Sequence, residues 1–428
     1  MRLGGRVAAA IEVIEAVDGR HRPVSEALKD WGQAHRFAGA GDRAAIGNLV
    51  YDALRKRSSH AWVTGEDTPS AIIFSALLRQ WGLSPEQLQE AFAGDAHAPE
   101  IPVAKLQAAL ARDLAEAPDH VRADAPSWCA PHLQASFGDE WVKEAAALTG
   151  RPPLDLRANT LKSTRDKVLK ELARTGAVAA RLAPHGIRIP AGEGPARLPN
   201  VTAEPGYRKG WFEVQDEGSQ VAALLAARFA GRQALDLCAG AGGKTLALSA
   251  AMENKGQIHA TDADKTRLAP IFERLQRAGC RNVQVHPAGA DLGALEARMD
   301  LVLVDAPCTG SGTWRRRPDA KWKLTEKALA ERLDEQRTVL DEAARFVKRG
   351  GALVYVTCSV FAEENGGQVA AHRQRHPHFD PVELAPHWRA LFGQDAAQPH
   401  ADAVGGVTLT PARTGTDGFY VAVMVRKG

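Results

Sequence analysis

Three hydrophobic rhythms follow one another along the chain. From residue 1 to about 140, apolar residues recur at helical spacing, as in "RVAAAIEVIEAV" and "DRAAIGNLVYDALRKR". "SPEQLQEAF" opens with Ser84 as a cap, followed by Glu86. An all-helical domain is expected over 1–140. Proline-rich punctuation follows in "DAPSWCAPHL" and "TGRPPLDL", and the period then changes. Over 141–228, "LDLRANTL", "GIRIP" and "GWFEVQ" are strand-like, and "TRDKVLKELARTG" is a helix stopped by glycine. That predicts a small α+β module. Over 229–428, strands ("ALDLCA", "QIHATD", "VQVHPA", "DLVLVDAP", "GALVYVTCS") alternate with helices that include "KTRLAPIFERLQRAG" and "EKALAERLDEQRTVLDEAARFV". Strict alternation predicts an α/β fold, a Rossmann-like parallel doubly wound sheet. "GFYVAVMVRKG" is expected to close its edge.

Composition narrows the picture only a little. A chain of 428 residues can bury the cores of two or three domains, and a net charge of +3 names no partner. Five cysteines, an odd number without a C-x-x-C, exclude a disulfide framework or a zinc knuckle and fit a reducing cytosol. Glu12 and Glu15 interrupt the apolar stretch after Arg2 and Arg6, so no signal peptide is read there. The absence of a run of about 18 apolar residues argues against a membrane span. A cytoplasmic monomer is expected, with no metal site.

Chemistry concentrates after residue 229. "LDLCAGAGGKT", Leu235–Thr245, is a strand, a glycine turn and a helix start. It nearly spells two phosphate-binding motifs and misses both. Cys238 stands where a P-loop needs its first glycine, and Thr245 where the dinucleotide fingerprint needs its third. The turn (Cys238, Ala239, Gly240, Ala241, Gly242, Gly243, Lys244) therefore suits a nucleoside without a phosphate chain. In an open α/β sheet, ligands bind beyond the carboxyl ends of the strands. Asp262, Asp291 and Asp305 stand at such ends, with Cys308 and Cys358 after the fourth and fifth strands. Acids there can accept from ribose hydroxyls and an adenine amine and tolerate a sulfonium, which points to S-adenosyl-L-methionine. Lys244 either pairs with Asp305, stabilises a thiolate or faces solvent.

"LDLCAGAGGKTLALS", "DAPCTGSGTWRRRPDAKW" and "YVTCSVFAEEN", in that order, resemble the Sun/Fmu (RsmB-type) RNA cytosine-5 methyltransferases. "LDLRANTLKSTRDKVLKEL" and "WFEVQDEGSQ" resemble that family's ferredoxin-like or RRM-like RNA-binding module. "DGFYVAVMVRK" resembles its closing strand, and "GDRAAIGNLVYDALRKR" is similar, more loosely, to a NusB-like RNA-binding domain. Gly240-Ala241 replace the family's commoner Ala-Pro in the first motif.

The resemblance implies a covalent mechanism on RNA, not DNA. Carbon 5 of cytosine is a weak nucleophile until a thiolate adds to carbon 6. An acid near ring N3 or the exocyclic amine helps to accept electron density, a role open to Asp305. Family likeness makes Cys358 the nucleophile and gives Cys308 to product release. The residues alone also support the reverse, since DNA cytosine-5 methyltransferases use their Pro-Cys thiol. "WRRRPDAKWK", with Arg315, Arg316, Arg317, Lys321 and Lys323 between two tryptophans, has the composition of an RNA-contacting surface. "LRKRSSH" is a weaker basic cluster, equally readable as a helix end. The NusB-like resemblance favours 16S ribosomal RNA over transfer RNA. A P-loop ATPase and a non-catalytic RNA-binding assembly factor are the other readings. With every chemical residue after 229, removal of residues 1–140 is expected to leave the cofactor site intact.

Overall fold

The computed structural model describes residues 1–20 and 22–428. The chain forms two compact units: Met1–Pro152 with Ala191–Leu198 and Trp314–Leu324, and Pro153–Pro190 with Pro199–Thr313 and Thr325–Gly428.

The first unit is helical. Its core gathers Val7, Val13 and Ile14 from the helix Leu3–Arg20, Ile46 and Leu49 from Ala40–Arg55, and Ile72, Phe74 and Leu77 from Pro69–Arg79. Sequence signals set the helix starts. The Thr68 side chain accepts from the Ala71 N–H at 3.2 Å, with Pro69 in the first turn. Ser84 makes a reciprocal capping box, and its partner is Gln87.

Residues 314–324 belong to this unit, and there the expectation of an exposed RNA-binding run fails. Trp314, Arg315 and Lys321 are buried. The Trp322 Nε1–H donates to the Leu54 carbonyl at 2.7 Å, and Arg55 Nε to the Arg315 carbonyl at 2.7 Å. Lys321 Nζ donates to the carbonyls of Arg55 and Asp124. Burial lowers the Lys321 ammonium to about 8. Cation and aromatic alternation is the composition of an RNA surface and equally that of a plug whose lysine stems and indoles pack inward while the polar tips cap carbonyls. "LRKRSSH" resolves the same way: Arg55 pairs with Asp52 at 2.9 Å, Arg57 with Asp18 and Asp67, and His60 is fully buried.

The second unit carries two sheets. Strands β1 (Leu154–Ala158), β2 (Val178–Ala179), β3 (Gly186–Ile189) and β4 (Phe212–Val214) form an antiparallel sheet in the order β2-β3-β1-β4. Val168 from the helix Arg165–Glu171 packs with Leu156, Ile187 and Phe212. The large sheet contains β5 (Gln233–Asp236), β6 (Gln257–Ala260), β7 (Val283–Val285), β8 (Met299–Asp305), β9 (Val347–Thr357), β10 (Phe379–Val382), β11 (His400–Ala401), β12 (Val407–Leu409) and β13 (Phe419–Arg426). Its order is β11-β12-β13-β9-β8-β5-β6-β7, with β10 also on β13. Strands β5 to β9 pair in parallel.

Two expectations change here. Strand β13 does not close the edge: β9 pairs on one side, and β12 and β10 on the other. Its unbroken run of buried residues from Phe419 to Met424 is that of an interior strand covered on both faces. The helix read through "KTRLAPIFERLQRAG" divides into Lys265–Leu268 and Ile271–Ala278 around Pro270, which lacks the N–H to continue it.

Candidate active site

The carboxyl ends of the parallel strands surround a cavity of about 780 Å³. Leu237 and Cys238 follow β5, Thr261 and Asp262 follow β6, Ala290 and Leu292 come after β7, and Pro307 comes after β8. The helix Glu326–Phe346 closes one side with Thr338 and Val339.

The glycine turn has a specific backbone. Gly242 sits at φ +83°, where a Cβ would lie 2.6 Å from Ile271 Cγ1, so only glycine fits. Asp262 anchors the turn by accepting from the Gly240 N–H at 2.8 Å and from the Asp264 N–H at 2.9 Å. Each oxygen keeps a lone pair, so Asp262 can hold the turn and still accept from a ligand hydroxyl. Cys238 lines the cavity, and burial raises its thiol, as it raises Cys280 and lifts Cys129 to about 12. Asp291 is not brought in. It stands exposed, accepting from the Gly293 N–H at 2.8 Å, while its neighbours Ala290 and Leu292 line the cavity.

Lys244 takes the first of its three options. Its Nζ donates to Asp305 Oδ2 at 2.6 Å and lies 5.3 Å from the centre of the Phe419 ring. Asp236, the buried last residue of β5, is strongly perturbed. Its Oδ2 accepts from Thr245 Oγ1 at 2.7 Å, and burial, with Asp305 and Asp262 nearby, raises it to about 7.

Cys308 and Cys358 meet with their sulfurs 3.3 Å apart. The hydrogen bond to Cys358, together with burial, holds the Cys308 thiol well above its ordinary value. Beneath them lies a residue that motif reading passed over. Glu364 is fully buried, and its carboxylate ties the two thiol loops together. Oε1 accepts from the Thr309 N–H at 2.8 Å and from Gln336 Nε2 at 2.9 Å, and Oε2 accepts from the hydroxyls of Thr309 and Ser359. Gln336 also holds the Pro307 carbonyl at 2.9 Å. Across the same gap, the Gly312 N–H donates to the Cys358 carbonyl and the Val360 N–H to Ser311 Oγ, both at 2.9 Å. A signal existed in the sequence only in part: Glu364 follows the apolar run Val360–Ala362, but Glu363 and Asn365 beside it give it the look of a solvated turn.

Parallel strands with a glycine turn and acids at their ends, preceded by a small antiparallel sheet, define a Rossmann-like methyltransferase fold with a ferredoxin-like module. A family described as 16S rRNA methyltransferase RsmB/F matches residues 223–425, and a ferredoxin-like domain of RsmF/B-like methyltransferases matches residues 125–193. Ribosomal RNA small subunit methyltransferase B of Sodalis glossinidius (strain morsitans) is 37% identical over 308 residues, covering 71% of this chain and 66% of the relative. The chain thus spans just under two thirds of such relatives. The crystal structure of PH0851 superposes with a TM-score of 0.73 at 26% identity over 100% of both chains. A methyltransferase homologue from Pyrococcus horikoshii gives 0.58 at 26% identity, over 72% of this chain and 98% of its own. Over residues 125–193 and 223–425 the chain carries the domains of the RsmB/F family of methyltransferases.

Proposed function

We propose that the protein is an S-adenosyl-L-methionine-dependent RNA (cytosine-5)-methyltransferase acting on 16S ribosomal RNA through a covalent cysteine adduct. The observation that carries this is the pair of sulfurs 3.3 Å apart at the ends of adjacent parallel strands. The cavity suits the cofactor. Its volume lies within the usual range for small-molecule sites, Leu237, Ala290, Leu292 and Val339 offer apolar walls to a purine, and Asp262 offers an acceptor to ribose. When bound, the cofactor supplies a sulfonium methyl group as electrophile.

The protein's part is to make carbon 5 nucleophilic. The Cys358 thiolate bonds to carbon 6 of cytosine, and the electron pair of the 5,6 double bond moves toward carbon 5. Cys308 suits the complementary role. Its sulfur lies 3.3 Å from that of Cys358, within reach of the same cytosine. After methylation the carbon-5 proton must pass to a base, its C–H electron pair re-forming the 5,6 double bond as the carbon 6–sulfur bond breaks and Cys358 leaves as thiolate; that base is assigned to Cys308, in its thiolate form after releasing its own proton to water. Asp305, which accepts from Lys244 Nζ at 2.6 Å, is assigned as the acceptor for the exocyclic amine of the base.

RNA capture falls to the helical region 1–140 and to the α+β module 141–228, ahead of the catalytic region 229–428. Lys167 and Lys209 stand 3.8 and 5.0 Å from the Trp211 ring centre, a cation and aromatic grouping suited to an unstacked base. No helix among the described residues is long and apolar enough to cross a membrane, and no cysteine among them is in a disulfide.

Two single variants test the assignment. Cys358→Ala should form no RNA adduct and transfer no methyl group. Cys308→Ala should methylate, then stall with RNA attached, a species that survives denaturing electrophoresis and disappears with ribonuclease. Adduct in Cys358→Ala and none in Cys308→Ala would reverse the roles. Full transfer by both variants would end the covalent mechanism, and mapping 5-methylcytosine in total RNA separates ribosomal from transfer RNA.

A further inference from the structure

Away from the cavity, the helices Glu326–Phe346 and Gly366–Arg375 bring together three side chains that the methyl-transfer reading leaves without a task. Asp341 comes from the first helix. His372 lies in the last turn of the second, and His376 caps that helix. Four residues apart, the two histidines share one helix face, where their rings stack with centroids 4.4 Å apart. One donor atom from each of the three residues lies within 4.8 Å of the others.

We propose that Asp341, His372 and His376 form a binding site for a borderline divalent cation, with Zn2+ the best match. Three features carry this. First, the donor spacing is already close to that of a metal site. His372 Nδ1 is 3.5 Å and His376 Nε2 2.9 Å from the same oxygen, Asp341 Oδ1. Zinc bonds of about 2.0–2.2 Å at tetrahedral angles separate ligand atoms by roughly 3.3–3.5 Å. The donor atoms of the two histidines lie within 4.8 Å of each other, so His376, now hydrogen-bonded to Asp341, must shift for all three to meet one ion.

Second, His372 is fully buried, yet neither ring nitrogen has a hydrogen-bond partner among the described residues. Its Nδ1 faces the Asp341 carboxylate at 3.5 Å, longer than a good hydrogen bond, and a metal between the two would relieve that nitrogen. Third, access is one-sided. The Asp341 and His376 side chains are 37% and 24% exposed while His372 is 0%, so a cation can enter from solvent and water can complete its coordination. Imidazole and carboxylate without sulfur select zinc, nickel or copper over magnesium or calcium. The helix C-terminus adds negative potential at His376.

One feature opposes binding. Arg375 holds both oxygens of Asp341, its Nε 3.1 Å from each and its Nη2 2.9 Å from Oδ1, and competes for the carboxylate. The site is therefore a modest one that joins two helices, in contrast to the expectation of no metal.

Calorimetry on the tag-free full chain tests it, with Cys308→Ser and Cys358→Ser present throughout so that the paired thiols cannot bind the probe. Zn2+ alone should bind with one equivalent to this parent and raise its melting temperature. His376→Ala and Asp341→Asn, both at partly exposed positions, should each weaken binding at least ~10-fold and abolish that rise. Arg375→Gln should bind more tightly. Co2+ should give visible bands of nitrogen and oxygen coordination without a thiolate charge-transfer band. A parent that takes up no Zn2+, or His376→Ala and Asp341→Asn variants that match it, would overturn the proposal.

Discussion

Asp236 is the residue whose cost can be read most directly. Its Oδ1 is buried without a hydrogen-bond partner among the described residues, and burial is the largest cause of its rise to about 7. The folded state then holds the proton more tightly than the unfolded state, where the carboxyl titrates near 4. Stability from this group is fully present below that value and is lost as pH rises toward about 7. His60 works in the opposite direction. Burial lowers it to about 3, so its contribution is present above the unfolded value near 6.5 and is lost as pH falls toward about 3. The two trends overlap in the raw curve of the wild-type protein. Comparison with Asp236→Asn isolates the carboxyl. The variant should gain on wild type as pH rises from 5 to 8, by an amount on the order of a few kcal/mol. Melting curves that stay parallel across that range would show that Asp236 is not raised.

At the scale of elements, regular strands and motif residues were legible, and residues that work between elements were not. Strands β5, β6, β8 and β9 are short apolar runs ended by Asp, Pro or Thr, and period and punctuation place them. The glycine turn, the Lys244–Asp305 pair and both thiols follow from standing at strand ends. Strands β10 to β12 escaped because two to four residues of mixed polarity carry no period. Glu364 escaped because its partners, Thr309, Gln336 and Ser359, come from separate segments that only folding assembles. Its four accepted bonds make it a positioning residue for the thiol pair. Glu364→Gln replaces an acceptor with a donor facing two hydroxyls. The variant should lose ~10–100-fold in kcat, the equivalent of about 1.5–3 kcal/mol for charged hydrogen bonds, while cofactor affinity stays unchanged because the cavity walls are untouched. A drop in cofactor affinity with kcat preserved would move Glu364 out of this role.

For the whole molecule, the order of the chain and the order of its compact units differ, and that alters what truncation should do. Every proposed chemical residue lies after 229, which suggests that the helical region can be removed cleanly. The segment Trp314–Leu324 is an obstacle: it leaves the loop of Cys308 and folds as part of the helical unit. Within that unit Trp314 is 2% and Lys321 1% exposed, and Trp322 and Lys321 cap the carbonyls of Leu54, Arg55 and Asp124. Deleting residues 1–140 takes away all three carbonyls and leaves two indoles and a lysine evolved for burial facing water. The truncated protein should therefore aggregate or melt earlier than the full chain. Replacing 314–324 with a glycine–serine linker in the same truncation should restore solubility and cofactor binding, since the cavity and the residues that line it lie outside that segment. Calorimetry and light scattering on the two truncated proteins distinguish the cases. If simple removal of 1–140 gives a soluble monomer with full cofactor affinity, the segment does not depend on the helical unit, and the catalytic region folds without it.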